Sequence, residues 1–224
     1  MLSRRSRSTR IRNLLGGLLA ALVAVAALVA IPASAGTRPH PSDGRILGDS
    51  WKAILELPGS FTDPAAPENP FMVGGCLRFD GVISPLVGLD QATELKCYVR
   101  PGEPVFVVGR SYEQSAVEQG DPDATAAELR ATAISQLGSE PPIVVLDQRR
   151  LRLQYVESPL IFVKLPQPNL LGSPLSSTRL VAVGWVTTLR FGSGTHTITI
   201  TQPSQPGQPT PTPVTTTVIV RHHR

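Results

Sequence analysis

Residues 184–201 read GWVTTLRFGSGTHTITIT, and this stretch most tightly limits the folds open to the chain. Apolar and polar side chains alternate on both sides of Gly192-Ser193-Gly194, which is the period of a strand with one buried face. One face of the first run carries Trp185, Thr187, Leu189 and Phe191, and one face of the second carries His196, Ile198 and Ile200. The glycine-rich turn predicts that the two runs form a hairpin.

His196 is the one histidine inside this pattern, and it poses the choice between a structural side chain and a ligand or catalyst. It begins the apolar face beside the turn, where its ring can pack while a nitrogen bonds water or backbone, and we favour the structural interpretation. The opposite face carries Thr195, Thr197, Thr199 and Thr201. One row of four threonines is too small for a flat ice- or sugar-binding surface and is ordinary for an exposed strand face.

Further strands are predicted by runs rich in Val, Ile, Thr and aromatic residues that Gly or Pro bound. The full set is Phe71–Phe79, Glu94–Val99, Val105–Gly109, Ile143–Leu146, Leu151–Tyr155, Ile161–Leu165, Leu180–Phe191, Thr195–Thr201 and Val214–Val220. No strand–helix–strand alternation is visible, which disfavours a parallel sheet. The pattern predicts a mainly β protein: an antiparallel, jelly-roll-like β-sandwich with one or two short helices.

Two short helices are predicted. One runs from Ser50, as its N-cap, to Leu55, with Trp51 and Ile54 on the same face as Leu55. The other follows the capping box Thr125-Ala126-Ala127-Glu128. Its apolar stripe is Leu129, Ala133 and Leu137 with Ile134 alongside, and Gly138 supplies a left-handed stop.

The amino-terminal 35 residues are typical of a secretory signal peptide. Arginines 4, 5, 7, 10 and 12 precede an apolar segment over 14–31, and Ala33-Ser34-Ala35 then predicts cleavage between Ala35 and Gly36. A retained membrane helix is the alternative, because the segment is just long enough to span a bilayer. We expect a flexible segment at 36–48 and one β-sandwich domain at 49–224, with a proline-rich loop at 202–213.

Removal of the signal changes the charge argument. The whole chain has 21 basic and 17 acidic residues, but five arginines and no acids precede Gly36, which leaves a net charge of −1. Nucleic-acid binding requires a basic face, which this balance does not support. The local exception is Arg149-Arg150-Leu151-Arg152, which we interpret as a solvated strand face with Leu151 and Leu153 turned inward.

Export also bears on the two cysteines. Cys76 and Cys97 are the only cysteines, and an even pair in an oxidising compartment predicts a structural disulfide. A metal site there would need more ligands, and no histidine lies between or near them. The polar, acidic stretch from Glu113 to Asp123, which contains Gly120-Asp121-Pro122-Asp123, lacks the spacing of a calcium loop, and we expect an exposed loop.

Five segments in order carry a resemblance to a family. They are SWKAILELPGSFTDPAAPENPF (50–71), KCYVRPGEPVFVVG (96–109), TAAELRATA (125–133), VESPLIFVKLPQPNLLG (156–172) and GWVTTLRFGSGTHTITI (184–200). Together they resemble a family of uncharacterised secreted bacterial β-rich proteins. Where relatives carry a glutamine- and tryptophan-rich strand after the first cysteine, this chain reads CLRFDGVISPL (76–86). The resemblance implies an exported β-rich protein and supplies no catalytic residue.

Motifs for catalysis are few. Neither Gly172-Ser173-Pro174 nor Gly192-Ser193-Gly194 is a serine-hydrolase elbow, and no H-E-x-x-H zinc helix is present. His40, His222 and His223 lie near the ends of the mature chain. Carboxylates that a glycosidase might use are Glu56, Asp80, Glu94 and Asp147.

We therefore predict, with no cofactor or metal, a secreted or envelope protein that binds an extracellular polymer or an envelope protein through loops or a sheet face. The membrane enters only if the export signal stays uncleaved. The alternative is a carboxylate-dependent hydrolase or lyase that acts on an extracellular glycan.

Overall fold

The computed structural model describes residues 41–58, 72–73, 76–79, 81–85, 95–204 and 212–221. The predicted signal segment, the cleavage position at Ala35–Gly36, and His40, Asp80, Glu94, His222 and His223 lie outside these residues. Seven of the residues in the proline-rich stretch, 205–211, also lie outside them.

Three helices and twelve strands make up the described part of the chain. In order they are α1 (Pro41–Leu55), β1 (Met72–Val73), β2 (Cys76–Phe79), β3 (Val82–Ser84), β4 (Leu95–Val99), β5 (Pro104–Ser115), α2 (Ala116–Gln119), α3 (Ala126–Leu137), β6 (Ile143–Leu146), β7 (Arg149–Arg150), β8 (Gln154–Glu157), β9 (Ile161–Lys164), β10 (Ser177–Arg190), β11 (Gly194–Thr201) and β12 (Val214–Val220).

The strands form two sheets. The first has seven strands in the order β1-β2-β3-β5-β10-β8, with β9 also paired to β10, and the second has five in the order β4-β12-β11-β6-β7. Most neighbours are antiparallel, but β3 runs parallel to β5 and β4 parallel to β12. The mainly β prediction is confirmed, and the sheets are mixed rather than purely antiparallel.

A shared apolar core lies between the sheets and makes the arrangement a sandwich. The first sheet contributes Val105, Val107 and Phe191 at the end of β10, and the second contributes Ile198, Ile200 and Val218. The Cys76–Cys97 disulfide joins β2 of one sheet to β4 of the other within this core, with Cα atoms 5.0 Å apart. The predicted disulfide is confirmed, and it links the two layers.

The predicted hairpin at Gly192–Gly194 is wrong. β10 pairs with β5, β8 and β9, whereas β11 pairs with β12 and β6, and the turn therefore carries the chain from one sheet to the other. The reason lies in the apolar faces: Phe191 and Ile198 both bury in the core between the sheets, which two facing layers allow.

The helices cover the remaining apolar faces of the first sheet. Leu180, Ala182 and Val186 of β10 pack on α1 through Leu47 and Leu55. On the other face, Val181 and Val183 pack on α3 through Leu129, Ala133 and Leu137. Each face of the β10 strand therefore has its own helix, as the two-residue period requires.

The amino-terminal helix is longer than the sequence predicted. Helix α1 begins at Pro41, which corrects both the flexible segment assigned to residues 36–48 and the predicted N-cap at Ser50. Ser50 is buried inside the helix, and its hydroxyl donates to the Leu47 carbonyl at 2.6 Å. The capping signal was misread because a serine inside a helix can satisfy its hydroxyl on the preceding turn.

The second predicted helix is confirmed. The Thr125 hydroxyl accepts from the Glu128 amide, and the Glu128 carboxylate accepts from the Thr125 amide. Gly138 ends the helix, but with a φ of 74° and a ψ of 175° it does not adopt the predicted left-handed helical conformation. Ile134 does not join the buried stripe, because 41 % of it is exposed.

Candidate binding groove

A groove with a volume of about 450 Å³ lies where β5 ends beside β10. Residues 177–179 of β10 form its floor, helix α2 and the following turn form one wall, and Phe162 with the 173–175 loop forms the other. Its full lining is Ala116, Val117, Gly120, Pro122, Phe162, Ser173, Pro174, Leu175, Ser177, Thr178 and Arg179. The volume is within the range of small-ligand sites.

The groove exists because β5 stops before it covers the first three residues of β10. The pairing of β5 with β10 ends at Ser115 and Leu180. Ser115 then caps helix α2: its hydroxyl accepts from the Glu118 amide at 3.2 Å, and the Glu118 carboxylate accepts from the Ser115 amide at 3.0 Å. This capping box diverts the chain from the sheet and leaves residues 177–179 without a strand on that side.

The hydrogen-bond phase of β10 shows which main-chain groups face the groove. The Leu165 amide donates to the Ser176 carbonyl at 2.8 Å, which makes these two residues a hydrogen-bonded pair of the β9–β10 ladder. Pairs alternate in an antiparallel ladder, and the main-chain groups of Ser177 and Arg179 therefore point away from β9, toward the side that β5 has left. Among the described residues this edge on the groove floor has no strand beside it, and the Arg179 carbonyl accepts only a long contact of 3.4 Å from the Thr178 hydroxyl.

Arg179 brings an oriented positive charge to the groove. Its Nη2 donates to the Pro122 carbonyl at 2.6 Å, which ties the guanidinium to the turn after α2. In the described part of the chain Arg179 makes no ion pair, unlike Arg45, Arg78 and Arg130. Most of its five donors therefore remain available for an acceptor.

Two exposed apolar side chains flank the groove. Phe162 is 69 % exposed and Leu175 is 47 % exposed, the highest values among the large apolar side chains of the described residues. Phe162 lies directly opposite Arg179 in the strand ladder, which puts the aromatic ring and the guanidinium on one face of the sheet. Exposed apolar residues that cluster at a concave site mark a contact surface.

The loop that presents Leu175 is held by its own side chains. The Asn169 Oδ1 accepts from the amides of Leu171 and Ser173, each at 3.1 Å, and its Nδ2 donates to the Ser173 carbonyl at 2.7 Å. Gln167 donates to the Leu175 carbonyl at 2.8 Å. The groove wall is therefore preorganised, which lowers the entropy cost of binding.

An acid pair lies nearby but on the opposite face of the sheet. Glu113 pairs with Ala182 in register and therefore points toward helix α1, where it is 6 % exposed. Burial, with a smaller contribution from the neighbouring Glu118, raises the pKa of Glu113 to about 9. Its Oε2 has no hydrogen-bond partner among the described residues. Neither carboxylate lines the groove.

His196 occupies the place that its sequence pattern assigned. Its ring packs on Phe191 with centroids 4.9 Å apart, and its Nε2 lies 3.3 Å from the Gly192 carbonyl oxygen. Its Nδ1 lies 2.7 Å from the Asp147 carboxylate, which also accepts from the Thr197 amide at 2.8 Å. Every one of these contacts fastens the turn between the sheets, in line with the structural interpretation.

Trp185 also lies beside an ionisable group. Its ring meets Tyr155 edge-on with centroids 5.3 Å apart. Burial, reinforced by the Glu157 carboxylate, raises the pKa of Tyr155 to about 12. Glu157 in turn pairs with Arg130 of α3 at 2.9 Å. This cluster binds the edge strand β8 to the helix.

The other residues singled out in the sequence are dispersed. Glu56 pairs with Lys52 and accepts from the Lys164 amide at 3.0 Å, far along the chain from Asp147 and in structural contacts of its own. Arg149, Arg150 and Arg152 are exposed, while Leu151 and Leu153 pack against the core, as predicted. The predicted strand Leu151–Tyr155 is wrong in its first half, because residues 151–153 connect β7 to β8. In the described ranges no three His, Cys, Asp or Glu side chains group as metal ligands would.

The acidic stretch 113–123 was only partly interpreted correctly. Gly120-Asp121-Pro122-Asp123 is an exposed turn, as expected, but Glu113 belongs to β5 and residues 116–119 form helix α2. Two signals were available in the sequence: the serine three residues before Glu118 fits a capping box, and Gly120 fits a helix stop.

Comparisons with known proteins add little. No protein-family model matches the chain, and no curated protein matches it. A solved structure described as the solution structure of Amebosin matches with a TM-score of 0.23 and 11 % identity, over 62 % of this chain and 96 % of that one. Among the described helices, none is long and apolar enough to cross a membrane.

Proposed function

We propose that this chain is an exported binding protein of the cell exterior or envelope, which contacts an extracellular polymer or an envelope protein through the groove beside β10. One observation carries the proposal: Phe162 and Leu175, exposed by 69 % and 47 %, flank the same groove in which Arg179 has no carboxylate partner among the described residues. The two large apolar side chains that are most exposed to water thus lie together, at a site where a partner would cover them.

Export is part of the proposal and is supported by two features. The first 35 residues have the basic, apolar and small-residue sections of a signal peptide. The Cys76–Cys97 disulfide is of the kind that persists in oxidising compartments. Expression of the full chain in a bacterial host, followed by mass spectrometry of the exported form, should give an N terminus at Gly36. Recovery of the chain only as the intact, unprocessed form would contradict export.

Binding is tested on the processed protein. It is incubated with washed bacterial envelopes, and the fraction that sediments is measured for the native chain and for Phe162→Ser/Leu175→Ser. We expect the double variant to lose at least about fivefold in retention, because two buried apolar contacts of about 1 kcal/mol each disappear. The matched control is Tyr98→Ser/Ile134→Ser, which removes side chains 42 % and 41 % exposed elsewhere. Equal retention of all three proteins would contradict the groove as the contact surface.

The hydrolase alternative depends on the acid pair, because a raised carboxyl pKa is what a general acid needs. Geometry does not support it: Glu113 is 6 % exposed, and Glu118 is engaged by the Ser115 amide and hydroxyl at 3.0 and 2.6 Å. A general acid must reach the bond that it protonates. Hydrolysis of an envelope glycan that Glu113→Gln abolishes, while the fold stays intact, would reverse this ranking.

A further inference from the structure

We propose that the groove holds an extended peptide, which adds as a strand beside β10 at Ser177 and Arg179, binds the Arg179 guanidinium through a carboxylate and packs an apolar side chain between Phe162 and Leu175. The inference rests on the proposed function and names its partner: a protein segment with an acidic residue close to an apolar one.

The main-chain geometry favours a strand. The hydrogen bond between Leu165 and Ser176 fixes which residues of β10 turn toward β9. The amide and carbonyl groups of Ser177 and Arg179 turn the other way and face the groove. They lie on the same edge of β10 that pairs with β5, just past the last pair, Ser115 with Leu180. An extended peptide placed there would extend the line of β5 and form main-chain bonds of the ordinary ladder.

The charge of the groove favours a carboxylate. The Pro122 carbonyl fixes one nitrogen of the Arg179 guanidinium at 2.6 Å, and Arg179 has no ion pair in the described part of the chain. A guanidinium matches a carboxylate with two parallel hydrogen bonds, a geometry in which arginine outperforms lysine. The positive charge on the floor is thus complementary to an acidic side chain or a terminal carboxylate.

The apolar walls limit how the two groups of the peptide are spaced. Phe162 is the cross-strand neighbour of Arg179, and their Cβ atoms are therefore about 5 Å apart. Alternate residues of an extended peptide are about 6.6 Å apart on one face. The carboxylate and the apolar side chain are therefore expected within about two residues of each other.

A peptide is favoured over a glycan for two reasons. The lining is mainly apolar, with the hydroxyls of Ser177 and Thr178 and the Arg179 guanidinium as its polar side chains near the floor. The Thr178 hydroxyl already accepts from the Val117 amide at 3.3 Å. Sugar hydroxyls could bond single main-chain groups of Ser177 and Arg179, but an extended peptide matches the regular spacing of donors and acceptors along that edge.

The test uses fluorescence polarisation of the processed protein with labelled hexapeptides of threonine that carry one glutamate and one leucine, moved through every position. We expect at least one arrangement with both residues within two positions to bind with a dissociation constant below about 1 mM. Replacement of its glutamate by glutamine should weaken binding at least about tenfold. Methylation of alternate amide nitrogens should abolish binding in one phase and be tolerated in the other, because a strand donates every second amide across a ladder.

The protein variants are Arg179→Met and Arg179→Lys, with Arg152→Met as the control at an exposed arginine outside the groove. Both changes at Arg179 should weaken the best peptide, the methionine more, and the control should not. Should Arg179→Met misfold, the glutamate-to-glutamine comparison on the native protein still decides the matter.

Three outcomes overturn the inference. They are no binding by any hexapeptide, equal tolerance of both methylation phases, and displacement of the protein from envelopes by neutral oligosaccharides but not by the peptides. The last of these leaves the proposed function intact with a glycan as its partner. Loss of envelope retention altogether, with or without peptide binding, instead counts against the proposed function.

Discussion

Asp147 Oδ2 lies 2.7 Å from His196 Nδ1, while its Oδ1 accepts from the Thr197 amide at 2.8 Å. One carboxylate thus joins the turn between β6 and β7 to the start of β11. Asp147 has a φ of 46°, which aspartate and asparagine tolerate better than most residues. The contact explains why a histidine belongs at the start of an otherwise aliphatic strand face.

We expect Asp147→Ala to lower the free energy of unfolding by about 2 kcal/mol, because two hydrogen bonds disappear and alanine is strained at positive φ. Asp147→Asn keeps an acceptor for the Thr197 amide and tolerates the backbone, and should cost less than half as much. Urea unfolding of the three proteins measures the difference. Equal losses in both variants would show that an amide replaces none of the carboxylate's contribution, which would contradict this expectation.

The strand positions followed from the sequence, but their partners did not. The alternation in 195–201 and 214–220 predicted β11 and β12 within one residue, because the side chains of a strand point alternately to its two faces. The turn at Gly192–Gly194 is also visible in the local sequence, yet it joins two different sheets. The sequence does not show this, because it depends on the burial of Phe191 between the two sheets. Pairing is a non-local choice, and no short stretch encodes it.

The groove was beyond sequence reasoning for the same reason. The groove brings together Phe162, Leu175 and Arg179, which come from different segments of the sequence. Whether they line one groove depends on where β5 ends. Glu113 was assigned to an acidic loop because its neighbours are polar. Its register with Ala182 puts it on the sheet face that α1 covers, and the sequence pattern revealed that helix only at its end.

The disulfide is expected to contribute about 3 kcal/mol, since it closes a separation of 21 residues and ties the two sheets together. Thiol titration of the exported protein should find no free sulfhydryl until the protein is reduced. The variant Cys76→Ser/Cys97→Ser should unfold at lower urea concentration than the native protein, and reductant should destabilise the native protein alone. A native protein insensitive to reductant would contradict the prediction.

Close contact between α1 and the first sheet depends on glycine. A Cβ at Gly44 would overlap the Glu157 carbonyl oxygen, and one at Gly48 would lie 2.8 Å from Ile161 Cγ1 and 2.9 Å from Ser158 Cβ. Alanine favours a helix by about 1 kcal/mol over glycine, and an isolated helix would therefore gain from either change. We expect the opposite here: Gly44→Ala should cost about 1–3 kcal/mol or more, because backbone cannot yield as a side chain can.

Thermal unfolding measures this cost, with Arg45→Ala as the control on the same helix at a side chain 74 % exposed. The control should be nearly neutral. If Gly44→Ala proved more stable than the native protein, α1 would not be docked on β8 as closely as the structure has it.

The pKa of the buried Glu113 is raised from 4.5 to about 9, chiefly by burial and then by Glu118. Below pH 4.5 the carboxyl is protonated in the folded and the unfolded chain alike, and its contribution to stability is complete. Between that value and about 9 the folded chain holds a proton that the unfolded chain has released. The free energy of unfolding therefore falls as the pH rises through this window, by at most about 1.4 kcal/mol per pH unit.

Glu113→Gln removes the ionisable carboxyl group but keeps the size and polarity of the side chain. Its stability relative to the native protein should therefore increase steadily from about pH 6 to about pH 8.5 in urea unfolding experiments. Glu140→Gln, at an exposed loop position, should follow the native profile throughout. Parallel profiles for the native protein and Glu113→Gln would show that Glu113 is already ionised at neutral pH, and that α1 does not shield it from water.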